Sequence, residues 1–192
     1  MAKTAQRPAT YEDLLQVPEN LVAEIIEGEL FTSPRPAGPH ERAMGAIYMR
    51  LRFPFDDGDG PGGWWISVEP ELHLDADVLV PDVCGWRRER VGPHPLAGRA
   101  AATIAPDWIC EVLSPRTGIL DRTRKLPSYA RHGVEYAWIV DTSQRTIEVF
   151  RLIEGRWSLI GSHGGDDPAR IEPFEAIELP LERLWFPEPR PA

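Results

Sequence analysis

The sequence predicts an α/β domain, on three observations. Apolar runs of strand length recur in the second half of the chain, at 108–113 and 136–140, and stripes at helical spacing occupy 40–53 and 120–132. Thr146-Ile-Glu-Val-Phe-Arg-Leu alternates strictly, as the half-exposed partner in a hairpin does.

With 192 residues the chain has the length of one well-buried domain. We expect a flexible tail at 1–9, a single domain over 10–186 and a proline-rich tail at 187–192. No segment approaches the roughly 20 apolar residues of a membrane span, and Met1-Ala-Lys-Thr-Ala-Gln-Arg lacks the apolar run of a signal peptide. A cytoplasmic location is the expectation. Cys84 and Cys110 each fall inside a buried-strand pattern and read as packing thiols. The net charge of −9 argues against a broad basic surface, yet Arg87-Arg88-Glu-Arg90 and Arg122-Thr-Arg124-Lys125 form local basic strips. Arg87, Arg88, Arg122 and Arg124 are therefore candidate nucleic-acid contacts, and ordinary solvated charge is the other reading.

The elements follow in chain order. Thr10-Tyr-Glu-Asp13 fits a capping box that opens a short helix ending near Val17. Residues 21–31 read as a hairpin around Glu27-Gly28-Glu29, with Glu24 and Glu27 as surface charges. After a loop at 34–39, the helix at 40–53 carries Met44, Ile47, Tyr48 and Leu51 on one stripe. Asp56-Asp-Gly-Asp-Gly60 reads as a solvated turn, because a calcium loop would need a glutamate where Ser67 stands. Residues 64–74 read as one strand that pairs with 78–84 across Asp75-Ala-Asp77. The stretch 86–105 is an excursion without structure of its own, beside the site and a candidate for substrate contact. In the helix at 120–132, Pro127 cannot donate and should distort the turn before it, and Gly133 suits the cap. The last segment, from Pro180 to Phe186, reads as an apolar clip.

The chemistry centres on Pro106-Asp-Trp-Ile-Cys-Glu-Val-Leu-Ser-Pro115, an apolar strand that carries one carboxylate, Glu111. Unpaired buried charge is costly, so such a carboxylate implies a partner. Val78-Leu-Val-Pro-Asp82-Val repeats the pattern with Asp82, and Asp121 and Lys125 share a helix face. Asp82 and Glu111 are candidate ligands of a hard divalent cation, Mg²⁺ or Mn²⁺. Lys125 then orients the attacking water or neutralises charge on phosphorus. Glu71, Asp121 and His40 are accessory candidates. A plain ion pair of Lys125 with Asp82 or Glu111 is the structural alternative.

These residues resemble the PD-(D/E)XK nuclease superfamily, and more closely the Uma-two endonuclease family. The resemblance is carried by Glu24-Ile-Ile-Glu-Gly-Glu-Leu, Pro34 followed by His40, Pro81-Asp82-Val, the 106–115 segment, Asp121, Lys125, Tyr129, and Gly133-Val-Glu-Tyr-Ala-Trp-Ile-Val-Asp141. It implies a restriction-endonuclease-like fold, a mixed β-sheet flanked by α-helices, and metal-dependent hydrolysis of phosphodiester bonds, of DNA above all. It also implies a homodimer. The superfamily's metal aspartate maps to Asp82 and its second acid to Glu111. Its lysine normally follows that acid by two residues, where this chain has Leu113, so the resemblance places the lysine at Lys125 on the next helix.

The expected function is thus a Mg²⁺-dependent DNA endonuclease. The alternatives are a catalytically inactive module that keeps the fold and binds nucleic acid or protein, and a hydrolase of small phosphoesters.

Overall fold

The computed structural model describes residues 7–35, 37–115 and 118–187. The element order is α1 (Tyr11–Leu14), β1 (Leu21–Ile26), β2 (Glu29–Pro34), α2 (Pro39–Arg52), β3 (Trp64–Val68), β4 (Leu72–Leu74), β5 (Asp77–Leu79), β6 (Val83–Arg87), α3 (Arg88–Val91), β7 (Trp108–Leu113), α4 (Gly118–Leu120), α5 (Leu126–Arg131), β8 (Tyr136–Asp141), β9 (Thr146–Ile153), β10 (Arg156–Gly164), β11 (Pro168–Ala169) and β12 (Leu179–Pro180). A π-turn at Asp121–Lys125 joins α4 to α5.

The main sheet has six strands in the order β10-β9-β8-β7-β6-β3, parallel between β7 and β8 and antiparallel elsewhere. This is the mixed sheet flanked by helices that the sequence led us to expect. Strand β7 is interior and covered on both faces, which is why Trp108–Leu113 reads as a near-continuous apolar run. On one face Trp108, Cys110, Val112, Trp138 and Val140 pack against Ala43, Met44, Ile47 and Leu51 of α2 and against the C-terminal Phe174, Leu184 and Trp185. On the other, Cys84, Trp86, Ile109, Ala137 and Ile139 meet Leu126 and Tyr129 of α5, with Ile26, Leu72, Leu74 and Leu79 of the second sheet. That sheet has the order β2-β1-β5-β4. Both cysteines are buried and free, as their strand positions suggested. At Gly85 a Cβ would stand 2.9 Å from Ile66 Cδ1 and 3.1 Å from the Trp64 ring, so any larger residue there would have to displace those packed side chains.

Several expectations are corrected by the packing. Residues 64–74 form two strands in different sheets. Glu69 adopts φ 44° just before Pro70, and the chain leaves β3 there. The 86–105 excursion has structure of its own: α3 opens it, and Ala102 bridges to Leu72. Asp56 is no solvated turn residue, because its carboxylate pairs with Arg88 at 2.7 Å and accepts the Ile66 amide. Residues 7–9 are tied down, with Arg7 paired to Asp13 and the Ala9 amide bonded to Gly28. The rest of the expected N-terminal tail, and 188–192 of the C-terminal one, lie outside the described residues.

Other expectations hold. Asp13 accepts from the Thr10 amide at 2.8 Å, completing the capping box. Gly133 takes φ 74°, and amides 133 and 134 bond back to Ala130 and Tyr129, a Schellman closure of α5. The π-turn falls immediately before Pro127, where a lost donor and ring clash disfavour the α-helical bond. Among the described residues no helix is long and apolar enough to cross a membrane.

Candidate active site

Glu111 is 2% exposed, on the same face of β7 as Ile109 and therefore toward α5. Asp82 stands where β6 begins, just past the last β6–β7 pair, Val83 with Cys110. Its Oδ2 accepts the Val112 amide at 2.7 Å, which fixes it against β7 next to Glu111. Its Oδ1 lies 2.9 Å from His40 Nε2, delivered by the first turn of α2.

The lysine reaches this place from the helical segment. Lys125 is 4% exposed, and its Nζ lies 2.9 Å from Glu111 Oε1, 3.0 Å from Glu24 Oε1 and 4.0 Å from Asp121 Oδ1. It also donates to the Val80 carbonyl at 3.0 Å. Tyr129, one turn on, donates to Glu111 Oε1 at 2.6 Å. Leu113, where a lysine two residues past the acid would stand, shares the strand face of Glu111 and packs among the apolar groups of that layer. The ammonium therefore comes to the same side of the sheet from the helix that covers it.

These groups line a cavity of about 320 Å³ with Glu24, Glu69, Asp82, Glu111, Asp121, Lys125 and His40 on its wall. Acid outnumbers base there. Burial pushes the Glu111 carboxyl well above its ordinary range, and the neighbouring Asp82, Asp121 and Glu24 add to this against the opposing pull of Lys125. Burial alone would lower the Lys125 ammonium, but Glu111, Glu24 and Asp121 outweigh it and hold the group well above its usual value, charged at neutral pH. Tyr129 is likewise pushed up, by burial and then by Glu111, and stays a hydrogen-bond donor.

Among the described residues no group of three or more His, Cys, Asp or Glu side chains forms a ready metal cage. The donor set nonetheless fits a hard divalent cation. Mg²⁺ is typically held by one or two carboxylates, the remaining positions going to water and phosphate, and here an excess of carboxylate oxygens faces one open cavity.

Of the residues singled out in the sequence, Asp82, Glu111, Lys125, Asp121 and His40 converge on this cavity. Glu71 does not. Its Oε1 instead accepts from Tyr11 at 2.8 Å and lies 2.6 Å from His73 Nε2. Arg87 ends β6 at the opposite extreme from Asp82 and Arg88 opens α3, so the excursion they begin is not beside the site. There Arg87 binds Glu135 at 2.5 Å and Arg88 binds Asp56. Arg124 pairs with Glu27 at 3.0 Å on the surface. Arg122 pairs with Glu148 and lines an adjoining cavity with His40, Ser114, Asp141 and Ser143. Sequence reasoning missed Glu24, which is buried and no surface charge. The signal was present: Ala23-Glu24-Ile25 sets an acid between apolar neighbours in a strand, as Cys110-Glu111-Val112 does. Glu69 was also missed, since its place on the wall depends on the break before Pro70.

No curated protein matches the chain. Among solved structures, one titled "a putative nuclease belonging to DUF820", from Anabaena variabilis ATCC 29413, superposes with a TM-score of 0.73 at 22% identity, over 93% of this chain and 98% of that one. At that identity the likeness shows the fold. The family model Uma2, described as "Putative restriction endonuclease", matches residues 8–182, and with nearly the whole chain inside that match the protein belongs to the Uma2 family.

Proposed function

We propose that the protein is a Mg²⁺- or Mn²⁺-dependent endonuclease that hydrolyses phosphodiester bonds of DNA. The observation that carries this reading is the Lys125 ammonium, 2.9 Å from Glu111 in a cavity that Asp82 and Asp121 share. Asp82 and Glu111 would hold the ion. When bound, it supplies a Lewis acid for the phosphate and lowers the pKa of water.

The chain's own groups do the rest. Lys125 presents a permanent positive charge where the scissile phosphate must lie, and compensates the charge that grows on its oxygens. His40 and the Val112 amide hold the Asp82 carboxylate from two sides, and Tyr129 restrains Glu111. Glu69 and Asp121 add negative potential to the wall, which favours a cation.

Plasmid nicking in Mg²⁺ or Mn²⁺, with Glu111→Ala and Lys125→Ala run beside the wild type, tests the proposal. The wild type should nick and both variants should lose at least about a hundredfold in rate. Equal nicking by all three rules out this site. Salt-sensitive DNA binding without cleavage in either metal turns the reading to an inactive binding module.

A further inference from the structure

Glu24 has no part in the roles above, yet few side chains in the molecule are more constrained. It is 4% exposed on β1. Its Oε1 accepts the Val80 amide at 2.8 Å and lies 3.0 Å from Lys125 Nζ, while Lys125 donates to the Val80 carbonyl. These contacts close a ring that ties β1, the stretch entering Pro81-Asp82 and the helical segment to one ammonium. Of the 21 lysines and arginines in the chain, two are lysines, Lys3 and Lys125.

We propose that Glu24 is a positioning residue for the hydrolytic reaction, holding the Lys125 ammonium in place while Glu111 serves the divalent ion. The inference rests on the nuclease reading. The ammonium donates to the Val80 carbonyl and lies within ion-pair distance of both Glu111 and Glu24. A Glu111 engaged with a cation attracts the ammonium less, and the cation repels it. Lysine's four-carbon stem is flexible, so with Glu111 as its only anchor it would swing away when needed. Glu24 keeps its own fixed partner, the Val80 amide, whatever Glu111 does. Neutralising one buried ammonium takes one carboxylate. Two within 3.0 Å and a third at 4.0 Å exceed that need.

Selective ¹³C,¹⁵N labelling of lysine yields two side-chain signals, which allows a direct test. In the wild type the Lys125 ammonium should give a protected signal that Mg²⁺ shifts without broadening it away. Glu24→Gln keeps an acceptor for the Val80 amide. In that variant, with the melting temperature confirming the fold, Mg²⁺ should speed ammonium exchange with water by about tenfold or more. Its kcat on plasmid DNA should fall about 10- to 100-fold, with the Mg²⁺ concentration for half-activity little changed. An unchanged kcat overturns the inference, and so does a Lys125 signal that responds to Mg²⁺ alike in both proteins. Activity restored by saturating Mg²⁺ also overturns it, because Glu24 is then an ion ligand. If Glu24→Gln does not fold, the wild-type titration decides, and loss of the Lys125 signal on adding Mg²⁺ counts against Glu24 as the anchor. A wild type inert on DNA removes the nuclease reading, and with it the kinetic role, whereas an active wild type with an equally active Glu24→Gln removes this inference alone.

Discussion

Lys125 Nζ lies 2.9 Å from Glu111 Oε1, although the two side chains come from different layers, one from a helical turn and one from the central strand beneath it. The pair is almost fully buried, so its stability depends on both members being present. Removing the cation leaves Glu111 and Glu24 facing each other without compensation.

Lys125→Met should therefore destabilise the fold by about 3–5 kcal/mol, the range for breaking a buried ion pair from one side. Adding Glu111→Gln should restore part of that loss, because it removes one of the two stranded charges. Urea unfolding of the wild type, the single variant and the double variant measures both effects. A double variant weaker than Lys125→Met would contradict the account.

The Glu111 carboxyl is raised well above its ordinary value, by burial first and by its acidic neighbours second. A folded acid with a raised pKa binds more protons than the unfolded chain between the two pKa values, so this group's contribution to stability falls as pH rises from about 4.3 upward. At pH values where Glu111 is protonated, a divalent cation competes with that proton. Its stabilising effect should accordingly grow with pH, small near about pH 5 and larger near about pH 8. At about 100 times the dissociation constant the gain approaches about 2.7 kcal/mol. Thermal melts with Mg²⁺ or with chelator across that range check this, and a metal effect that shrinks with rising pH would refute it.

The arginines should divide into two kinds. Arg88→Ala leaves the Asp56 carboxylate, whose side chain is 6% exposed, without its guanidinium. A stability loss of about 1–3 kcal/mol follows, with plasmid nicking unchanged. Arg122 forms an exposed pair with Glu148 beside the cavity that adjoins the acidic cluster. Arg122→Ala should cost at most about 1 kcal/mol of stability and lower the salt slope of DNA binding by about 1. Binding isotherms at several salt concentrations separate the two outcomes.

How much of this was legible in the sequence depended on how local the cause was. Glu111 and Asp82 stood out because apolar neighbours on the same strand announce burial, whereas the spacing of Lys125 only permitted its reach and the resemblance to the family supplied its place. Glu24 obeys the same rule, but it lies one turn from Glu27-Gly28-Glu29, where acids are ordinarily solvated. Its burial comes from β5 and Lys125, far away in sequence. Glu71 misled for a related reason. It falls on the cavity side only if 64–74 is one straight strand, and the turn at Glu69 and Pro70 sends it toward Tyr11 and His73 instead. The strips at Arg87 and Arg122 look alike as charge, and only the antiparallel run of β6 puts the first at the far end of the sheet.

The π-turn offers the sharpest separation of function from stability. Pro127 has no amide to donate to the carbonyl four residues back, and the Leu126 amide bonds to the Asp121 carbonyl, five back. The extra residue in that turn sets the angle at which Lys125 leaves the helix. Pro127→Ala restores the missing donor and removes the ring clash, so the turn can tighten to α-helical spacing. The helix gains a hydrogen bond, while the ammonium shifts by about 1 Å and stays close enough to Glu111 to neutralise it. A displacement of about 1 Å at a reacting group can cost about a hundredfold in rate. Pro127→Ala should thus melt at or above the wild-type temperature and cleave at least about tenfold more slowly. The measurements are paired melts and plasmid nicking, and a variant that cleaves like the wild type would show that the wide turn has no part in placing Lys125.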